Sequence, residues 1–138
     1  MPQDNLTEKV SVNINSSTLS SIDLLVDNGY YSNRSDFINQ ALRESLDRNQ
    51  STLNRIIEQN TKGNPEPSNW FIGILNLSQN YLENLKAKNK KIRINGYGVL
   101  FLEKSCPDQL IYETIESIQV RGSVRCSDAV KQHYGIRS

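Results

Sequence analysis

The chain has 138 residues, enough for one ordinary domain or two small ones, with 36% hydrophobic residues and a formal net charge of +1. Its longest apolar run, Trp70–Leu75, is far shorter than the roughly 20 residues that a membrane helix needs, so no membrane span is expected. Met1–Asn5 carry neither a basic segment nor an apolar one, so no secretion signal is expected. The two cysteines, Cys106 and Cys126, form no CxxC pair, which argues against a disulfide framework and for a cytoplasmic location.

The charge is unevenly distributed. Residues 1–48 hold four basic and seven acidic residues, a net of −3, which argues against DNA binding by bulk electrostatics in that region. Any such binding must use a few well-placed groups. The basic surplus comes later, in Lys86, Lys88, Lys90, Lys91 and Arg93.

In chain order, residues 1–7 are polar and expected to be frayed. Lys9–Ile14 alternates polar and apolar, the period of a half-buried strand with Val10, Val12 and Ile14 on one face and Lys9, Ser11 and Asn13 on the other. Asn15, Ser16 and Ser17 offer N-caps for a helix bearing Leu19, Ile22, Leu25 and Val26, which Gly29 closes. Ser32 or Asn33 caps a second helix with the stripe Phe37, Ile38, Ala41, Leu42 and Leu46. One strand and two short helices bury little area, and a lone strand leaves both edges unpaired. The economical solution is a homodimer in which two strands pair antiparallel and four helices close over their apolar face.

Residues 49–69 are transitional. Leu53, Ile56 and Ile57 continue the second helix or begin a third, and Lys62–Ser68 is a breaker and linker. Beyond it, Trp70–Leu77 reads as a strand and Ser78 caps a helix with Tyr81, Leu82 and Leu85. Lys91–Glu103 is β-like; its Asn95-Gly96 pair makes either a hairpin turn or a bulge in one bent strand, the latter preferred. Pro107 opens a helix carrying Leu110, Ile111, Thr114, Ile115 and Ile118, Val120–Cys126 is a short strand, and Ser127-Asp128 start a final helix ending near Gly135. The order β-α-β-α-β-α implies a small α+β sandwich, with Trp70, Phe71, Tyr97 and Phe101 expected in its core, the alternative being a small-ligand pocket among them.

Lys9–Ile14, the helix from Ser16, Gly29-Tyr30 and the run Ser32-Asn33-Arg34-Ser35-Asp36-Phe37-Ile38 together resemble the ribbon-helix-helix family, the Arc/MetJ/CopG group. The resemblance covers about residues 8–48. It implies that the paired strands enter the DNA major groove, with Lys9, Ser11 and Asn13 facing base edges and Asn33, Arg34 and Ser35 gripping a backbone phosphate. The chemistry agrees: Asn13 can make a bidentate contact with adenine, Ser11 can donate or accept, and Lys9 can reach guanine or a phosphate. A helix N-terminus beside an arginine suits an anion. The whole layout is also similar to longer archaeal ribbon-helix-helix regulators with an extra C-terminal domain, a weaker likeness carried by Glu113–Ile118 and Val120–Arg125.

The expected organisation is thus a DNA-binding domain at 1–48, a helical extension and linker at 49–69, and an α+β oligomerisation or sensing domain at 70–138. The expected function is a sequence-specific regulator of transcription that represses by occupying double-stranded DNA. It would act as a homodimer, with a tetramer as the higher assembly. The alternative is an antitoxin-like protein whose C-terminal half binds a protein partner. Such tails are usually polar and fold on their partner, whereas residues 70–138 carry strong periodicity of their own.

Lys88, Lys90 and Lys91 are candidates for further phosphate contacts. The lone His133 cannot supply the several histidines of the nickel site known in two-domain members of the family, so no metal or other cofactor is expected. Cys106 and Cys126 are read as packing residues, and Glu113 and Glu116, three apart, as the wet face of a helix. With no phosphate loop and no nucleophile–base set, no enzyme is expected.

Overall fold

The structure, a computed structural model, describes residues 7–62 and 70–137. All but the first residue of the Lys62–Ser68 breaker, and all but the last residue of the frayed start, lie outside the described residues. The chain divides into two compact units, one ending at Ser51 and the other beginning at Thr52.

The first unit holds α1 (Ser16–Asp27) and α2 (Arg34–Arg48). Asn15 caps α1, its side-chain oxygen accepting from the Ser17 amide at 2.8 Å. Gly29, at φ +83°, ends α1 in a Schellman turn. Its amide donates to Val26 O and that of Tyr30 to Leu25 O, both at 3.0 Å. The chain reverses here and α2 packs back on α1, with Tyr31 edge-on to Phe37 at 4.9 Å. Asn49 then interrupts the helical path, and α3 (Gln50–Thr61) follows as a separate helix rather than a continuation of α2.

The second unit carries β1 (Phe71–Leu77), α4 (Gln79–Ala87), β2 (Ile92–Leu102), α5 (Asp108–Thr114), β3 (Ile115–Arg125) and α6 (Asp128–Tyr134). Ser78 and Ser127 cap α4 and α6 as expected, and Gly135 at φ +68° closes α6. The three strands are all parallel, in the order β1-β2-β3. Parallel neighbours require crossovers, which α4 and α5 provide.

Two expectations about β2 and β3 need correction. β2 is one continuous strand, but its irregularity lies at Ile92/Arg93, opposite Glu116, and not at Asn95-Gly96. The helix expected to reach Ile118 ends at Thr114, and the short strand expected from Val120 starts at Ile115.

The helices α4, α5 and α6 all bury against one face of the sheet. Leu82, Leu85, Leu110, Ile111 and Val130 meet Phe71, Leu77, Ile94, Leu100, Leu102, Ile118 and Val124 in one core. The opposite face is open, with Ile72 and Tyr97 each 52% exposed. Tyr97 is therefore not a core residue, Trp70 and Phe101 are half-buried, and Phe71 alone of the four aromatics is fully inside. Hydrophobic composition does not reveal how many faces of a sheet are covered.

Tyr134 ties α6 to the start of β3. Its hydroxyl lies 2.7 Å from Ile115 O and 3.1 Å from Ile111 O and can donate to either. Burial, reinforced by Tyr112, pushes its phenol up to about 12. The neutral form is thus favoured by folding. The stability it contributes is complete below the ordinary tyrosine value of roughly 10 and is lost as pH rises towards 12. Tyr134→Phe is expected to flatten this part of the alkaline unfolding limb, as read by melting temperatures from pH 9 to 12.

Candidate nucleic-acid interface

Lys9–Ile14 forms no strand within the single chain. A ladder needs a partner, and the expected partner is a second copy of the same segment. All six residues are exposed, the apolar set as well as the polar one: Val10 is 76% and Val12 70% accessible. Among the described residues of this unit Ile22 alone is buried, while Leu24, Leu42 and Leu46 also face solvent. A helix pair with so little interior cannot offset the entropy of ordering some forty residues.

Lys9, Ser11 and Asn13 sit just before the Asn15 cap, so the start of α1 fixes where the segment leaves the helix pair. The other predicted trio, Asn33, Arg34 and Ser35, is brought together at the start of α2. Asn33 is the N-cap, in extended backbone, and its side-chain oxygen accepts from the Asp36 amide at 2.8 Å. The Asp36 carboxylate in turn accepts from the Ser32 amide at 3.0 Å. The amides of Arg34 and Ser35, in the first turn, have no such acceptor within the helix.

Arg34 has a partner that the sequence reading did not identify. Its guanidinium donates through Nε and Nη2 to the two carboxylate oxygens of Asp23, at 2.8 and 2.9 Å. This bidentate bond holds Asp23 below the usual carboxylate range and raises the guanidinium further above its own. Both groups are exposed, so the pair adds little stability; its effect is to fix the guanidinium beside the α2 N-terminus. The sequence signal was the Gly29 turn, which folds the end of α1 back towards Arg34.

In the second unit Lys88, Lys90 and Lys91 are exposed around the turn from α4 to β2, where Asn89 adopts φ +56°. Their neighbours Lys86 and Arg93 are engaged by Glu113, at 3.3 Å, and by Glu116. Glu116 lies on β3, so the two glutamates do not share a helix as expected. Burial pushes both thiols up, which disfavours the reactive thiolate. His133 stacks on Tyr112 at 4.0 Å. Among the described residues no helix is long and apolar enough to cross a membrane.

Neither a curated protein nor a solved structure matches the chain. A family model described as the Ribbon-Helix-Helix transcriptional regulator family matches residues 5–131, which takes in both units. The chain belongs to the ribbon-helix-helix transcriptional regulator family.

Proposed function

We propose that this DNA-binding regulator reads the major groove as a homodimer and represses by occupying its site. Two Lys9–Ile14 segments pair into an antiparallel ribbon. Lys9, Ser11 and Asn13 face the bases, and the α2 N-terminus, with Asn33, Arg34 and Ser35, holds a flanking phosphate. The observation that carries this reading is the exposure of Val10 and Val12 beside a helix pair that buries only Ile22 among its described residues. A second copy would cover that layer and leave the alternate residues outward.

Arg34 keeps its Nη1 edge for a phosphate while Asp23 holds the rest of the guanidinium in place. Lys88, Lys90 and Lys91 would add non-specific phosphate contacts. The packed core of the second unit supports an oligomerisation or sensing role over an antitoxin tail that folds only on its partner. Self-association of that unit would join dimers into a tetramer.

Asn13→Ala is expected to lose about 1–3 kcal/mol of specific binding while leaving the dimer intact, because Asn13 faces away from the shared layer. The readout is a gel-shift titration on a selected binding site, with sedimentation for the oligomeric state. Unchanged affinity would remove Asn13 from the readout.

A further inference from the structure

The open face of the sheet gathers aromatic, amide and cationic side chains at one end. β1 begins opposite Gly96, so at the previous position β2 and β3 run on without it, and Trp70 stands where the first strand would otherwise continue. In register, Asn95 pairs with Gln119 and Tyr97 with Arg121. Alternation puts these four side chains on the open face, about 4.8 Å apart across the strands and about 7 Å apart along them. Trp70 borders one side, its ring 6.3 Å from that of Tyr97 at an interplanar angle of 62°. The result is a shallow, open groove of about 420 Å³ lined by these side chains together with Gly96 and Val120. That volume suits a small ligand.

The chemistry selects the occupant. Two aromatic rings set at an angle offer a surface on which a planar heterocycle stacks. The Gln119 carboxamide beside them carries a donor and an acceptor for the edge of such a ring. Arg121 is exposed and has no acidic partner among the described residues, so it supplies the charge for an anionic group.

The rest of the face argues against a second copy of the chain as the cover. Its outward charges are Arg93, which Glu116 neutralises, and Arg121 and Arg125, which no described residue on the face balances. A two-fold packing of this face would bring like charges together. Parallel sheets are normally covered on both sides, so an open one with a cationic, aromatic groove is poised for a ligand.

We propose that the groove between Trp70, Tyr97 and Arg121 binds a nucleotide, its base against the two rings and its phosphate on Arg121. The same chemistry could be presented by a free mononucleotide or by a residue of a single strand; the one cation lining the groove, Arg121, matches the single phosphate of the free molecule. This site is independent of the ribbon and does not rest on how the first unit reads DNA.

Trp70 is the one tryptophan of the chain, so its fluorescence, excited at the red edge, reports on this groove alone. The full-length protein is titrated with the four ribonucleoside 5′-monophosphates, with adenosine, with inorganic phosphate and with a ten-residue oligothymidylate. Saturable quenching by at least one monophosphate is expected, with adenosine weaker by about tenfold and phosphate alone without effect. Arg121→Gln should weaken the monophosphate by about tenfold, whereas Arg125→Gln, further along the same strand, should not. Circular dichroism checks that both variants fold.

No saturable change with any monophosphate would overturn the proposal, as would an affinity indifferent to Arg121. Binding of the oligonucleotide about tenfold more tightly than any monophosphate would overturn the free nucleotide in favour of a strand. A Trp70 signal that changes on dilution without ligand would overturn it in favour of a second copy.

Discussion

Val12→Asp is expected to abolish the folded dimer and, with it, DNA binding. In the proposed ribbon Val12 sits in an apolar layer shared by two chains, so the substitution places one carboxylate from each chain into a dry interior. An uncompensated buried charge costs about 3–5 kcal/mol, and there are two of them facing each other, against a total stability of about 5–15 kcal/mol for a small protein. The first unit has no reserve to absorb this, since Ile22 is its one buried residue among those described. Sedimentation should show dissociation, and circular dichroism should show loss of the helical signal of α1 and α2. Ser11→Asp is the control. One residue away, it falls on the opposite face, so it should keep the dimer and weaken DNA binding by charge repulsion alone. If Val12→Asp sediments as a folded dimer, or if the two variants behave alike, the two-faced ribbon is wrong.

The N-terminal pattern was legible because its signals are local. Asn15, Gly29 and Asn33 each satisfy or release backbone groups within a turn of themselves, so residue type alone locates the helix ends. The same holds for Ser78, Ser127 and Gly135 in the second unit. What failed was the boundary between α5 and β3. Ile115 and Ile118 are three apart and both buried, the spacing of a helix stripe. In the structure they share a strand face because Glu116 is the extra residue of a bulge against β2, which converts a spacing of three into one of two. A single sequence does not distinguish those cases. Nor does it tell which sheet face is covered, so an aromatic such as Tyr97 is indistinguishable in sequence from a core residue. The Arg34–Asp23 pair joins residues eleven apart across a turn, and it becomes visible only once the reversal at Gly29 is in place.

Gly98→Ala is expected to be, with Gly122→Ala, among the most damaging single-methyl changes in the second unit. Gly73, Gly98 and Gly122 lie side by side in register across all three strands, at φ +105°, +130° and +141°. Side chains rarely adopt such backbone, and forcing one to do so costs about 1–3 kcal/mol. At Gly98 a second cost is added. A Cβ there would fall far inside contact distance of the Gly73 carbonyl oxygen, and one at Gly122 would meet the Gly98 carbonyl in the same way. Those neighbours are backbone in the middle of a ladder and cannot rotate away, so relief requires parting the strands. Gly73 itself has open space around the missing Cβ and would suffer the strain alone. The three alanine variants should therefore rank Gly98 and Gly122 together, at about 3–5 kcal/mol, above Gly73 at about 1–2 kcal/mol. Urea unfolding followed through Trp70, which lies in this unit, gives the three values on one scale. Equal losses at all three positions would mean that strain alone sets the cost and that the close approach of the strands relaxes freely. A Gly98→Ala variant as stable as the parent would mean that the row of glycines is not what lets these three strands lie together.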